Sequence, residues 1–141
     1  MSPFAADKYF TGGNPDVTTG GTVDTSAVTN PAPEPVYDTE RWGPFTYTVP
    51  GLTPGASYTV RLHFAEIYWT AVGQRSFNVL INGTQVLTNF DIIAAAGAAK
   101  KAIVKQFTAT ANASGQIVVQ YTAGVNSNDN NPKSSAIEII H

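Results

Sequence analysis

From Phe45 onward, apolar and polar positions alternate with the period of a strand that buries one face. Phe45, Tyr47 and Val49 alternate with Thr46 and Thr48, and PGLTPG (50–55) then turns the chain. Tyr58, Val60, Leu62 and Phe64 alternate with Thr59, Arg61 and His63. Phe77, Val79 and Ile81 lead into Asn82-Gly83, the strongest short-range hairpin signal because both positions tolerate φ > 0. The return strand is expected over Gln85–Leu87, and further strands over Ile103–Thr110, Gln116–Tyr121 and Ala136–Ile140. Only Ile92–Lys101 has helical propensity, and Gly97 limits it to one or two turns. There is no internal repeat.

Residues 1–40 read differently. Gly12-Gly13, Asn14-Pro15, Gly20-Gly21 and the run Pro31–Pro35 are expected to break regular structure. This part reads as a long covering segment with short strands around Val23 and Val36, docked through Phe4, Tyr9, Phe10 and Tyr37. Many short strands between Gly, Pro and Asn turns predict an all-β fold, a jelly-roll-type β-sandwich with at most one or two helical turns. A chain of 141 residues fits one domain, 1–141, large enough to bury a core without staples.

Composition narrows the function. Charged residues are 13% of the chain, about half the usual share of roughly 25%. Polarity comes instead from Thr, Asn, Gly and Ser, a surface suited to uncharged, hydroxyl-rich ligands. The net charge of −2 and the lack of a basic stripe argue against nucleic acid. No cysteine is present, which removes disulfides, thiol catalysis and cysteine-ligated zinc. No apolar run approaches the ~20 residues of a membrane span. MSPFAADKYF lacks a signal core, and the expectation is an extracellular domain excised from a larger secreted or cell-surface protein.

The candidate chemistry centres on HFAEIYW (63–69). Tyr68 and Trp69 end a strand beside a polar loop, and two large rings there suit the apolar face of a pyranose. On a regular strand, however, adjacent residues face opposite ways. Trp42 precedes Gly43-Pro44 at a turn into a strand. Asp129 lies among small polar residues, where it either forms an Asx-turn or accepts sugar hydroxyls, with Asn128 and Asn130 beside it. Glu66 and Asp91 are the best-placed acids for a glycosidase, which needs two carboxyls roughly 5–9 Å apart. Glu66 reads instead as a structural acid at a strand end, and Asp91 as the cap of the helical turn. His63 reads as a surface strand residue, and no second His is near enough for a His-based metal site. Structural calcium is an alternative without an acidic cluster behind it, so no cofactor is expected. Two glycosylation sequons, at Asn82 and Asn112, are explained as turns.

Five blocks carry a family resemblance: TERWGPFTYTVP (39–50), YTVRLHFAEIYW (58–69), GQRSFNVLINGTQVL (73–87), FDIIAAAG (90–97) and NNPKSSAIEII (130–140). From about residue 5 onward the chain resembles the malectin domain, whose bacterial relatives are binding modules of secreted glycan-active enzymes. The resemblance implies a jelly-roll β-sandwich and a lectin for glucose-containing oligosaccharide, not a catalyst. Its ligand residues fall on Tyr9, Trp42, Tyr68, Trp69 and Asp129. One extra residue in Asp129-Asn130-Asn131-Pro132-Lys133 leaves the acidic position to Asp129 or Asn130. The family's opening strand, which resembles Ile-Asn-Ala-Gly-Gly and sits near the C-terminal strand, is absent. Either residues 1–6 replace it or a sheet edge is left unpaired.

The leading expectation is therefore a non-catalytic binder of neutral, glucose-containing oligo- or polysaccharide, with no nucleic-acid or membrane partner. A monomer is expected, and a dimer through an unpaired edge is the alternative. The runner-up function is a structural or protein-interaction module, and a small glycoside hydrolase ranks last.

Overall fold

The structure, a computed structural model, describes residues 4–17 and 22–141. Strands β1 (Phe10–Val17), β2 (Thr39–Val49), β3 (Ser57–Phe64), β4 (Phe77–Ile81), β5 (Thr84–Phe90), β6 (Ile103–Thr110), β7 (Ile117–Ala123), β8 (Lys133–Ser134) and β9 (Ala136–Ile140) are joined by two short helices, α1 (Glu34–Tyr37) and α2 (Ile92–Ala96). They form two antiparallel sheets. The larger runs β1-β2-β7-β4-β5, with β8 also paired to β2, and the smaller runs β6-β3-β9.

The period-two residues meet between the sheets. Val60, Leu62 and Phe64 of β3 face Phe77 and Val79 of β4 and Ile117, Val119 and Tyr121 of β7, all fully buried. Phe45 stacks on Tyr121 at 4.4 Å, and Phe64, Phe77 and Phe90 pack as a trio with centroids 5.1–5.7 Å apart. The expected hairpin forms, with Asn82 at φ 50° and Gly83 at φ 81°. Helix α2 ends at Gly97 in the left-handed region, and Asp91 caps its start by accepting from the Ala94 N–H at 3.1 Å.

The N-terminal expectation needs correction. Gly12-Gly13 and Asn14-Pro15 do not break regular structure; they lie inside β1. An edge strand tolerates the missing N–H of Pro15. The two glycines sit at φ 83° and 73°, where the register with β2 shifts. They also allow close approach, since a Cβ on Gly12 would lie 2.8 Å from the Pro44 carbonyl oxygen. Val36 is helical rather than extended, and Val23 is buried without being in a strand. Residues 4–6 form no strand, residues 1–3 lie outside the described residues, and so does Gly20-Gly21.

Residues 22–37 do cover the sheet. Val23, Ala32 and Tyr37 form a second buried cluster with Ala65 and Ala102. This layer overturns the surface reading of His63, which is fully buried. Its Nδ1 accepts from the Tyr37 hydroxyl at 2.8 Å, and that hydroxyl accepts from the Ala32 N–H at 3.1 Å. The arrangement fixes the proton on Nε2, which donates to Glu138 Oε1 at 2.5 Å. Arg61 donates to the same oxygen and to the Thr29 and Asn30 carbonyls, pinning the segment to the sheet. Tyr37 thus docks as expected, whereas Tyr9 and Phe10 are 47% and 40% exposed.

Candidate functional site

Beyond β3 the chain leaves the sheet, and Glu66 turns inward to 1% exposure. Its Oε2 accepts from the backbone N–H groups of Tyr68 and Trp69, both at 3.3 Å, and so holds the turn that carries the two rings. Because that turn is not a regular strand, the rings do not face opposite ways. They meet edge to face, 4.9 Å apart at 87°. Tyr68 is 68% exposed. The Trp69 indole N–H donates to Asp129 Oδ2 at 3.0 Å, which fixes that ring against the second loop.

The two loops are joined along their backbones. Asp129 N–H donates to the Gln74 carbonyl at 2.8 Å and Ser76 N–H to the Asp129 carbonyl at 3.2 Å. Gln74 Oε1 accepts from Thr70 and Ala71, closing the turn after Trp69. Asp129 Oδ1 accepts from the Asn131 N–H at 2.8 Å, the expected Asx-turn, while Oδ2 orients Trp69. Its two oxygens therefore serve both the loop and the aromatic wall. Burial alone would raise the Asp129 carboxyl, but the Asn131 and Trp69 donors and the Arg75 guanidinium together hold it below its ordinary value. It stays ionised across physiological pH. Asn130 Oδ1, next to it, is buried and lacks a protein hydrogen-bond partner.

Beneath the rings runs a chain of buried charges. Arg75, 4% exposed, donates to Glu66 Oε1 at 2.7 Å and to the Asn131 carbonyl at 2.9 Å, and lies 3.5 Å from Asp129 Oδ2. Lys133, fully buried, donates to Glu40 Oε1 and lies 3.9 Å from Glu66 Oε2. Burial lowers the Lys133 ammonium below its usual value, against the pull of Glu40 and Glu66. Glu66 is the structural acid expected, and its immediate partners are two cations rather than the second carboxyl a glycosidase requires.

Trp42 lies in β2 itself rather than at a turn into it, paired with Asn14 of β1 and Lys133 of β8, and is 36% exposed. Lys133 follows Asp129 by four residues, and the Gly43 N–H bonds to the Pro132 carbonyl at 3.0 Å, so Trp42 borders the same loop. Tyr9 does not. Its carbonyl accepts from the Thr48 N–H, six residues along β2 from Trp42, or about 20 Å at ~3.3 Å per residue. The structure thus brings together Tyr68, Trp69, Asp129 and Asn130 with Trp42 alongside, and sets Tyr9 apart. Sequence reading missed Gln74, Arg75, Lys133 and Glu40 as its supports. The available signal was a few charged residues inside blocks of a charge-poor chain. Among the described residues, no group of three His, Cys, Asp or Glu could hold a metal ion, and no helix is long and apolar enough to cross a membrane.

Comparison with known proteins follows the same lines. The malectin domain model matches residues 2–137. A kinesin-like protein, KIN-14E of Oryza sativa subsp. japonica, is 30% identical over 128 residues, 85% of this chain and 11% of that protein. Malectin-B of Xenopus laevis is 35% identical over 65 residues, 45% of this chain and 23% of that protein. In solved structures, the ANX1 ectodomain from Arabidopsis thaliana superposes with a TM-score of 0.83 at 19% identity, covering 93% of this chain and 40% of that one. A plant peptide complex, RALF23 with FER and LLG2, gives a TM-score of 0.83 at 21% identity with the same coverage. This chain therefore spans a minor part of the proteins it matches. These relatives are plant and animal proteins, not the bacterial modules the resemblance had suggested. With the family model matching nearly the whole sandwich, the chain belongs to the malectin domain family, whose members are carbohydrate-binding modules and not catalysts.

Proposed function

We propose that residues 1–141 act as one extracellular binding unit for a neutral, glucose-containing oligo- or polysaccharide. Tyr68, Trp69 and Trp42 supply the rings, and Asp129 and Asn130 the polar contacts. The observation that carries this reading is the Trp69–Asp129 bond, which holds a large ring in place beside the exposed Tyr68. A ring fixed before the ligand arrives loses little entropy on binding. An ionised Asp129 suits hydroxyl donors and repels anionic sugars. Tyr9 is left out of this set. Affinity is expected in the micromolar-to-millimolar range, about −4 to −8 kcal/mol.

Titration calorimetry against maltose and nigerose, after a glycan-array screen, tests the reading. Trp69→Ala should weaken binding by about 2 kcal/mol, with a smaller loss of stability from the Asp129 hydrogen bond, about 1 kcal/mol. Unaltered sugar affinity in that variant would remove Trp69 from the site.

A second reading, a protein-interaction module, is favoured by the exposed apolar side chain of Ile140. One structural relative is held in a complex with a peptide. Failure of a folded sample to bind any glycan would favour this alternative.

A further inference from the structure

The two glycosylation sequons, Asn82-Gly83-Thr84 and Asn112-Ala113-Ser114, both fall in turns at the end of the sandwich away from the aromatic loop. Strand β7 connects the two ends. Its first residue, Ile117, follows the Asn112 turn, and its last, Ala123, leads into the Asp129 loop. Seven residues at ~3.3 Å each separate them by about 20 Å.

The two asparagine carboxamides are engaged differently. Asn82 uses both ends of its own. Nδ2 donates to the Thr110 carbonyl at 2.8 Å, and Oδ1 accepts from the Val118 N–H at 2.9 Å. The side chain thus braces the β4–β5 hairpin against β6 and β7, and a sugar on that nitrogen would stand between the hairpin and Thr110. Asn112 uses one end. Its Oδ1 accepts from the Ser114 N–H at 2.9 Å and the Gln116 N–H at 3.0 Å, while Nδ2 donates to none of the described residues. Asn112, Ala113 and Ser114 are all exposed. The turn is anchored without Nδ2. Asn112 N–H donates to the Gln116 carbonyl, Gly115 N–H to the Asn112 carbonyl and Leu52 N–H to the Gly115 carbonyl, each at 2.9 Å. A substituent on Nδ2 breaks none of these bonds.

We propose that Asn112, and not Asn82, is a site of N-linked glycosylation in the secreted domain. The inference rests on the extracellular part of the proposed function and not on the sugar bound by the aromatic loop. The co-reactant is a lipid-diphosphate-linked oligosaccharide, and the hydroxyl required two residues on is that of Ser114. Nδ2 forms a bond to the anomeric carbon of the first sugar and gives up one proton to the transferase. The bond from that carbon to the diphosphate breaks, and the lipid diphosphate leaves. Transfer meets the chain as it is made, and folding then sorts the two positions. A glycan on Asn112 points into solvent with both Oδ1 bonds kept, whereas one on Asn82 obstructs the brace. A bulky, solubilising group at this end leaves the Tyr68–Trp69 and Asp129 loops open.

Secretion of residues 1–141 from cultured plant or animal cells behind a cleavable signal tests this, with intact mass and peptide mapping before and after peptide N-glycosidase. The expected result is one glycan per chain, with Asn112 converted to Asp by the enzyme and Asn82 unchanged. Ser114→Ala should abolish the added mass, and Thr84→Ala should leave it in place. Ser114→Ala keeps both backbone bonds to Asn112 Oδ1, so the turn survives where Asn112→Gln would disturb it. Secreted protein with a bare Asn112, a glycan on Asn82, or added mass that survives Ser114→Ala would each overturn the proposal. Calorimetry against sugars reads the aromatic loop separately, so either reading can fail without the other.

Discussion

Two buried polar networks lie at different places in this sandwich and are built on different chemistry. Under the aromatic loop, Glu40, Lys133, Glu66, Arg75 and Asp129 form a run of full charges. Under the covering segment, Ala32, Tyr37, His63 and Glu138 form a relay through one neutral imidazole. The first network holds a surface loop in one shape. Ion pairs can do this at any pH where carboxylates are ionised and Lys and Arg are charged. The second holds a polypeptide layer against a sheet, and it depends on where one proton sits.

The largest expected effect comes from breaking the charged network. Glu66→Ala removes the acceptor for the Tyr68 and Trp69 N–H groups and leaves Arg75 buried without its closest partner. Removing one partner of a buried pair costs about 3–5 kcal/mol. Denaturant unfolding should show that loss, and sugar binding should fall with it. Trp69→Ala, by contrast, should affect binding more than stability.

Next is Tyr37→Phe. It removes the donor to His63 Nδ1 and the acceptor of the Ala32 N–H, leaving buried groups unpaired at roughly 1–3 kcal/mol. Urea titration measures this, and the loop's sugar affinity should be unchanged. Equal losses of affinity in both variants would mean that the two networks are coupled.

The pH response separates the networks further. Burial holds the His63 imidazole below its ordinary value, against the pull of Glu138. The unfolded chain therefore takes up a proton near pH 6.5 that the folded chain refuses. His63 stability is complete above about pH 6.5 and is lost as pH falls below it. Asp129 is depressed as well, but it is a carboxylate. Its stability is present above about pH 4 and is lost only as pH falls further. Melting temperature should thus decline between about pH 6.5 and 5 while sugar affinity holds. The decline should flatten in a folded His63→Gln variant. A falling sugar affinity over that range would contradict the separation.

The smallest effect sharpens the role of Asp129. Asp129→Asn loses the charge and one of the two acceptor oxygens; the oxygen that remains can still take the Trp69 indole N–H at the expense of the Asn131 bond. Binding should weaken by about 1 kcal/mol, the difference between charged and neutral hydrogen bonds, with Trp69 fluorescence little changed. Asp129→Ala should also shift that fluorescence.

What could be read in the chain depended on the range of the forces involved. Alternation of Tyr58, Val60, Leu62 and Phe64 locates β3, because a half-buried strand imposes a period of two. Asn82-Gly83 locates its hairpin because φ > 0 is a local demand. Asp91 and Gly97 bound α2 for similarly local reasons. The same local rules misread Gly12-Gly13 and Asn14-Pro15, since an edge strand with a bulge tolerates what a central strand rejects. They misread His63 because alternation tells which residues avoid the core but not whether another layer lies over the opposite face.

In the site, residue types were legible and their relations were not. Tyr68, Trp69 and Asp129 were identifiable as a ring pair and an acid in a polar loop. That Trp69 donates to Asp129 across 60 residues of chain, and that Arg75 and Lys133 lie beneath them, depends on two loops meeting. Tyr9 and Trp42 looked like partners until the register of β1 on β2 set them six residues apart. By itself the sequence determined the strands, the turns and the apolar interior, because backbone sterics and hydrophobic periodicity act within a few residues. Only the tertiary structure decided which charges are buried together and which ring is held, because long-range pairing sets burial and hydrogen-bond partners.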